Sequence, residues 1–413
     1  MNTKKFSEAM GEIDSQYIEK AINYHPGRQK LLWMKWGAIA ACLAILVYAG
    51  ARLLSPEAPD IPKPPILETP ENMPQLPMLS LSDNADDGMG FGGVMAYDVS
   101  ELVNANPWSE SLELSTLPVY RNTLTYGDNF VTTGADFCKM REFLLEIADR
   151  FGIDADTADI MINAPDEETE QKVYEQLQAE GSAVLEEHFP AETQLALDAD
   201  GIKIEVSQNM TATIRFEPAI SLPDEYHYAS YEDTAAAAEY LRTEYQNVLA
   251  MEDPQINICG GDYTINADQD YSISFYEGSG DVTQRIINYN FNRVAFYHSD
   301  GELYMIRISH PDLSEKVEDY PMITPEQAAE LLSNGRYCTS VPYDMPGPEY
   351  VKKMELVYLT GELEKYYMPY YCFYVELPEE ERENGLKTFG LYYVPAVHWI
   401  YISNMPIYAG HFD

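Results

Sequence analysis

The chain has 413 residues and a formal net charge of −42, from 26 Lys and Arg against 68 Asp and Glu. Binding to a phosphate backbone requires clustered Lys and Arg, so this composition argues against nucleic acid as a partner. Residues 1–54 are the exception, with 7 basic and 4 acidic residues, so the acidic excess belongs to the remainder of the chain.

The first segment, 1–35, contains an amphipathic pattern over residues 3–24, where apolar residues recur at steps of three or four. This spacing predicts a helix that ends by His25-Pro26-Gly27. We interpret its apolar stripe as a docking surface for a cytoplasmic protein. A helix lying on the bilayer surface is the alternative. The residues expected to contact the partner are Phe6, Met10, Ile13 and Tyr17.

Residues 36–54 form an apolar run with one charge, Arg52, near its end. As a helix this run is about 28 Å long, which matches the hydrocarbon core of a bilayer. Three interpretations are open: an uncleaved anchor, a signal peptide cleaved at Ala49-Gly50-Ala51, or a lipoprotein modified at Cys42. The long preceding segment argues against cleavage, and the apolar run beyond the cysteine argues against lipidation. The anchor is therefore favoured.

Basic residues before this run set the expected orientation. Six Lys and Arg precede it, whereas the first lysine after it is Lys63. The positive-inside rule then places the N-terminus in the cytoplasm and the C-terminal part outside the cell membrane. Residues 55–95 are predicted to be an extracytoplasmic linker, because eight prolines between Pro56 and Pro77 favour a stiff, extended chain.

A first folded module is predicted over 96–222. "DFCKMREFLLEIADRFG" has the apolar spacing of a helix that stops at Gly152, and "ADIMINA" is typical of a strand. "DEETEQKVYEQLQAEGSAVLEEHF" predicts an acidic helix. "GIKIEVS" and "TATIRFEP" are predicted to pair as a hairpin.

Two related units are predicted to follow, repeat 1 over 223–318 and repeat 2 over 319–413. In repeat 1 a helix, "YEDTAAAAEYLRTEYQNVL", precedes the strands "YSISFYEG", "IINYNFNRVAFYHS" and "ELYMIRIS". In repeat 2 the helix "ITPEQAAELLSNGRY" begins with Thr324 as N-cap and Gln327 in a capping box, before "KMELVYLTG", "YYCFYVEL" and "FGLYYVPAVHWIYI". The expected fold class is α+β, built of helix-plus-antiparallel-sheet modules behind a single transmembrane helix.

Tyrosines are concentrated in the last two of these strands. Because side chains alternate along a strand, one face of "YYCFYVEL" is expected to be core. The other face either forms an exposed aromatic surface for a peptide or sugar ligand, or is a second buried face. The candidate ligand-binding residues on it are Tyr370, Tyr374 and Tyr392.

No catalytic, cofactor-binding or metal-binding motif is recognisable, and a non-enzymatic protein is expected. "DNADDG" at 83–88 resembles a calcium loop but has Ala85 at a ligand position. Four cysteines follow the apolar run. Among their three possible pairings Cys338 with Cys372 is the leading one, but buried free thiols are the commoner state.

The N-terminal residues "KKFSEAMGEIDSQYIEKAINY" and "WGAIAACLAIL" resemble the start of membrane-anchored anti-sigma factors of the Clostridia type. Residues 1–35 differ from the zinc-binding kind, since they hold no cysteine and one histidine. "ITPEQAAELL", "YYCFYVEL" and "LYYVPAV" are similar to PepSY-like modules and to the extracytoplasmic regulators of wall-sensing kinases. These resemblances imply a regulatory or inhibitory binding module whose cytoplasmic partner is a sigma factor or a kinase component.

Together these features predict a membrane-anchored extracytoplasmic sensor or regulator with a short cytoplasmic docking helix. Its extracytoplasmic partner is expected to be a peptide, a glycan or a protein. The alternative is a passive surface-anchored module that holds a peptide, a glycan or a protease, with the N-terminus serving only as an anchor.

Overall fold

The computed structural model describes residues 73–77, 92–123, 136–163 and 194–405, apart from 158, 227–229, 265–267, 300, 361–363 and 383. All of them belong to one compact unit, Pro70–Asp413, separate from Met1–Thr69. The predicted docking residues, the apolar run 36–54 and the acidic helix at 166–189 lie outside the described residues. Within the described ranges, no helix is both long and apolar enough to cross a bilayer.

The larger sheet has eight strands, each antiparallel to its neighbours, in the order β3-β4-β5-β6-β10-β9-β8-β7. The predicted hairpin of "GIKIEVS" with "TATIRFEP" is confirmed. A second hairpin joins β9 to β10, and its turn includes Gly301, whose φ of +77° suits glycine. The strands are β3 Met161–Asn163, β4 Gln194–Ala199, β5 Ile202–Ser207, β6 Thr211–Ser221, β7 Pro254–Tyr263, β8 Gln269–Glu277, β9 Arg293–Ser299 and β10 Glu302–Ser309.

Three helices accompany this sheet: α1 Phe137–Arg150, α2 Tyr231–Glu244 and α3 Gln246–Leu249. Helix α1 begins where Asp136 accepts hydrogen bonds from the N–H groups of Cys138 and Lys139, as an N-cap does. The apolar stripe that the sequence predicted for this helix is buried against residues of β4, β5 and β6. Only Phe137, at the first turn, is substantially exposed. One core therefore lies between the helices and one face of the sheet.

A second sheet has the order β1-β16-β15-β13, with β12 also paired to β16. Helices α4, Val282–Phe291, and α5, Pro325–Ser333, pack into its core, and a three-stranded sheet β11-β2-β14 lies beside it. The fold is thus mixed α+β with mainly antiparallel strands. The remaining strands are β1 Val94–Ala96, β2 Thr116–Arg121, β11 Lys316–Pro321, β12 Cys338–Thr339, β13 Val351–Tyr358, β14 Tyr366–Tyr367, β15 Pro369–Glu376 and β16 Lys387–Pro395.

Helix α4 corrects the interpretation of "IINYNFNRVAFYHS" as continuous strand, because residues 286–291 are helical and the strand begins at Arg293. Asp281 caps this helix by accepting a hydrogen bond from the N–H of Gln284. The apolar residues Ile286, Ile287 and Phe291 are buried in the second core. A β-branched apolar run suits either structure, and here the cap and the tertiary packing decide.

Part of the predicted linker 55–95 is packed into the folded unit. Leu76 is fully buried; its N–H donates to the carbonyl of Tyr401 and its carbonyl accepts from the N–H of Ser403, both at 2.7 Å. Strand β1 pairs with β16. The predicted boundary at 222/223 falls between β6 and its sheet partner β10, so both predicted modules contribute strands to one sheet. The division into modules stays a prediction.

Both faces of β15 are buried, so of the two alternatives open for its second face the buried one is confirmed and the exposed aromatic surface is wrong. Tyr370 is 1% exposed and Tyr392 is fully buried, whereas Tyr374 is half-buried. Cys372 is a buried free thiol, the commoner of the two states considered, so its pairing with Cys338 does not form. Cys338 and Cys372 pair with Tyr393 from opposite sides, which separates their Cα atoms by about 10 Å, beyond the reach of a disulfide.

Candidate functional site

Among the clefts on the described part of the molecule, three have volumes of about 350, 280 and 240 Å³. The largest of these three lies among prolines near Tyr343, and the smallest lies beside helix α1. The 280 Å³ cleft differs because it runs along a sheet edge. We call it the edge groove; its lining residues are Glu110, Pro325, Glu326, Ala329, Val351, Lys352, Lys353, Met354 and Phe373.

The edge groove exists because β13 is the last strand of its sheet, paired with β15 on one side only. On its other side the carbonyl of Leu356 accepts from Asn106 Nδ2 at 3.0 Å, and the N–H of Tyr358 donates to Asn290 Oδ1 at 2.9 Å. Backbone groups alternate along an antiparallel strand, so those of Met354 also point away from β15. No strand pairs with them among the described residues. The N-terminal half of this edge is therefore open.

Helix α5 forms one wall of the groove. Its start is the predicted capping box: Thr324 accepts from the N–H of Gln327, and the Gln327 side chain accepts from the N–H of Thr324. The cap holds the first turn beside β13, where Pro325 and the exposed Ala329 line the groove. Phe373, 1% exposed, and the partly buried Met354 belong to the second core and provide apolar surface.

The free charges at the edge groove are negative. A hydrogen bond from its own backbone N–H and another from Thr324 lower the pKa of Glu326, so this carboxylate is ionised at neutral pH. Glu110 makes no salt bridge among the described residues. The two lysines are already paired: Lys352 Nζ lies 3.6 Å from Glu376 Oε2, and Lys353 Nζ lies 2.7 Å from Glu355 Oε1.

A polar network holds β13 from its other face. Glu355, 7% exposed, is the sole charged residue among the buried described residues. Its Oε1 accepts from Asn104 Nδ2 at 2.6 Å and pairs with Lys353, while its Oε2 accepts from the Tyr374 hydroxyl at 3.1 Å. Lys353 also donates to the carbonyl of Leu102. The carboxylate is thereby compensated by a cation and by donors, as burial of a charge demands.

Asn104, Ala105 and Asn106 link the two large sheets; we call these three residues the connecting strap. The N–H of Ala105 donates to Asn257 Oδ1 on β7 at 2.8 Å, and the Ala105 carbonyl accepts from the Tyr276 hydroxyl on β8. The asparagines on either side bond to β13. Hydrogen bonds of the connecting strap thus join the open edge of β13 to the eight-stranded sheet.

The Tyr374 hydroxyl and the Cys372 thiol beside Glu355 are held in their neutral, unreactive forms. Burial first, and then the nearby negative charge of Glu355, raise the pKa values of Tyr374 and of the Cys372 thiol. A thiol with a raised pKa is a poor nucleophile. In the described ranges, no group of three His, Cys, Asp or Glu side chains has the geometry to hold a metal ion. The arrangement suits binding of a ligand through hydrogen bonds and apolar contact.

The predicted ligand residues do not come together at this groove. The hydroxyls of the buried Tyr370 and Tyr392 are enclosed, and that of Tyr392 donates to the carbonyl of Tyr343 at 2.9 Å. Tyr374 supports Glu355 behind β13. Ligand binding by these tyrosines stays a prediction. The groove residues were missed: "KMELVY" was recognised as a strand, but nothing in its pattern indicates which of its edges is open.

The comparisons with known proteins add no assignment to this geometry. Neither protein-family models, nor curated proteins, nor solved structures contain a match to this chain. Function is therefore inferred from the sequence pattern and from the site itself.

Proposed function

We propose that this chain is a membrane-anchored extracytoplasmic sensor or regulator. Its unit 70–413 binds a ligand outside the cell membrane, and its residues 1–35 bind or release a cytoplasmic partner, in the manner of an anti-sigma factor. The apolar run 36–54, with basic residues before it, supports this topology.

The observation that carries the binding role is the open edge of β13 beside helix α5. Unpaired backbone donors and acceptors at a sheet edge attract further polypeptide, and proteins commonly protect such edges. Here the C-terminal half of the edge is covered by side chains of Asn106 and Asn290, whereas the half at Met354 borders a cleft with an apolar floor. This selective exposure supports a binding role for the groove.

The connecting strap supports a sensor rather than a static surface. An occupant of the groove would contact β13, and β13 is bonded through Glu355 and Asn104 to the segment that also holds β7. This continuous set of hydrogen bonds joins the two sheets, and coupling between them requires that the connecting strap have a second arrangement that binding favours.

The test uses the full-length chain in its membrane, tagged at the C-terminus and recovered after mild cross-linking. Ile13→Asp introduces a charge into the predicted stripe, and Ser15→Asp introduces the same charge on the opposite side of the predicted helix. We expect a transcription or kinase component to be recovered with the native chain and Ser15→Asp, and to be lost with Ile13→Asp. Equal recovery with both variants, or no specific protein, would contradict the regulatory role.

A passive surface module is the second candidate, because the edge groove by itself requires no cytoplasmic partner. Deletion of residues 3–24 separates the two functions. The passive role requires normal surface binding and an unchanged transcriptional response after this deletion, whereas the regulatory role requires the response to be lost.

A further inference from the structure

We infer that the edge groove accepts an extended, positively charged peptide segment of another protein, which adds to the second sheet as a strand beside β13. This inference rests on the proposed binding role and specifies the chemistry of the ligand.

The backbone of β13 provides the first part of the recognition. The N–H and C=O of Met354 point into the groove by the alternation seen at Leu356 and Tyr358, whose outward groups are bonded to asparagine side chains. An extended peptide satisfies such groups by continuing the ladder, and it gains affinity from main-chain hydrogen bonds. The asparagine side chains cap the ladder at its other end, so the added strand has a defined limit.

The walls provide the second part. A strand presents alternate side chains to one face, so every second residue of the added strand faces the partly buried Met354 and the exposed Ala329, with the enclosed Phe373 beneath them. A volume of about 280 Å³ lies just below the usual range of small-molecule pockets, about 300–1,000 Å³. The groove is therefore better matched to individual apolar side chains of a longer chain than to a complete small ligand.

Charge provides the third part. Glu110 and Glu326 contribute two carboxylates to the lining, and Lys353 is paired with Glu355. Lys352 shares Glu376 with Lys387, so the groove and its ion-pair partners together hold four carboxylates against three ammonium groups. The net charge of −42 adds a long-range attraction for cations. The ligand is thus expected to alternate apolar residues with Lys or Arg. A second copy of this chain would bring the same carboxylates and the same net charge to the groove, which opposes pairing of two β13 edges.

The probe is a fluorescent hexapeptide, acetyl-Lys-Val-Lys-Val-Lys-Val-amide, titrated with the full-length protein in detergent micelles. Its matched control is the same peptide with every backbone nitrogen methylated, which retains charge and side chains but removes the donors needed for strand pairing. We expect the methylated peptide to bind at least tenfold more weakly. Equal binding of both peptides, or no binding of the first, would overturn the inference.

Protein variants locate the binding. Glu110→Gln with Glu326→Gln is expected to weaken binding of the first peptide about three- to tenfold, because each exposed ion pair contributes modestly. Ala329→Arg, at an exposed helical position, adds bulk and positive charge to the groove and should remove binding. Glu142→Gln with Glu302→Gln makes the same change in net charge at exposed positions elsewhere and should bind normally.

The remaining outcomes are also decisive. If the Glu142→Gln and Glu302→Gln pair weakens binding as much as the groove pair, attraction is general and the inference fails. A dimer in sedimentation that Ala329→Arg dissociates would identify a second copy as the occupant, which also overturns it. None of these results depends on the cytoplasmic segment. Recovery of a cytoplasmic partner together with failure of the peptide would therefore reject this inference alone.

Discussion

Asn104 Nδ2 lies 2.6 Å from Oε1 of Glu355, and this bond joins a loop residue to the middle of an edge strand 251 residues away. The carboxylate it reaches is buried and is shared with Lys353 and Tyr374. Because a buried charge is costly unless it is fully compensated, each member of the set depends on the others. Loss of any one member is therefore expected to destabilise the folded unit.

Glu355→Ala should therefore destabilise the protein. Removal of the carboxylate leaves the Lys353 ammonium without its partner, and its side chain is 27% exposed, so water compensates only in part. We expect a loss of about 2–4 kcal/mol in the free energy of unfolding, measured by urea denaturation. Glu302→Ala, an exposed carboxylate at the start of β10, is the control and should change stability by less than about 0.5 kcal/mol. Similar losses for the two variants would contradict the role of the network.

The capping box of α5 should have a measurable effect on the groove wall. Thr324→Ala removes the acceptor for the N–H of Gln327 and should cost about 1 kcal/mol of stability. Hydrogen exchange of the first-turn amides of α5 should become faster, whereas Thr324→Ser should restore protection. Unchanged exchange in the alanine variant would mean that packing alone holds this wall.

Tyr392 distinguishes a core residue from a ligand contact. Tyr392→Ala should cost about 3–5 kcal/mol because the side chain is fully buried, and Tyr392→Phe about 1 kcal/mol because the hydroxyl no longer donates to the carbonyls of Tyr343 and Asp344. Thermal and urea unfolding provide the measurement. A contact residue at a surface would behave differently, with normal stability and weakened ligand binding.

The cysteines should differ sharply in reactivity. Burial raises the pKa of Cys372, and its thiol is enclosed, so alkylation at pH 8 should be slow in the folded protein. Cys138 is exposed at the first turn of α1 and should be modified first. Mass spectrometry after timed treatment with iodoacetamide measures both sites. Denaturant should make their rates similar, and rapid native labelling of Cys372 would contradict the enclosed position.

Glu364 should make stability depend on pH in the neutral range. Burial raises its pKa from 4.5 to about 7, so the folded state holds the proton more tightly than the unfolded state. Its contribution to stability is full below pH 4.5 and is lost as the pH rises towards 7, by at most about 3 kcal/mol. Glu364→Gln should remove this slope. Parallel pH profiles for the variant and the native chain would show that the carboxyl is solvated.

Local signals in the sequence predicted several elements correctly. The spacing of Met140, Leu144 and Ile147 predicted helix α1, and Thr324 with Gln327 predicted the start of α5. These predictions succeeded because helix periodicity and capping depend on residues within one or two turns of each other. Strand hairpins closed by short turns are local in the same sense, as β9 and β10 show.

Tertiary structure decided the rest. The sequence of β15 has the alternation of any strand, and only the elements packed on both faces make Tyr370 and Tyr392 core residues. Residues 286–291 are helical because a cap at Asp281 and a core beneath Ile286 favour that form. The order of strands leaves β13 at an edge, and a loop near residue 104 covers half of it. By itself the sequence determined composition, local periodicity and caps. The groove and its network depend on contacts between residues hundreds of positions apart, which no local pattern specifies.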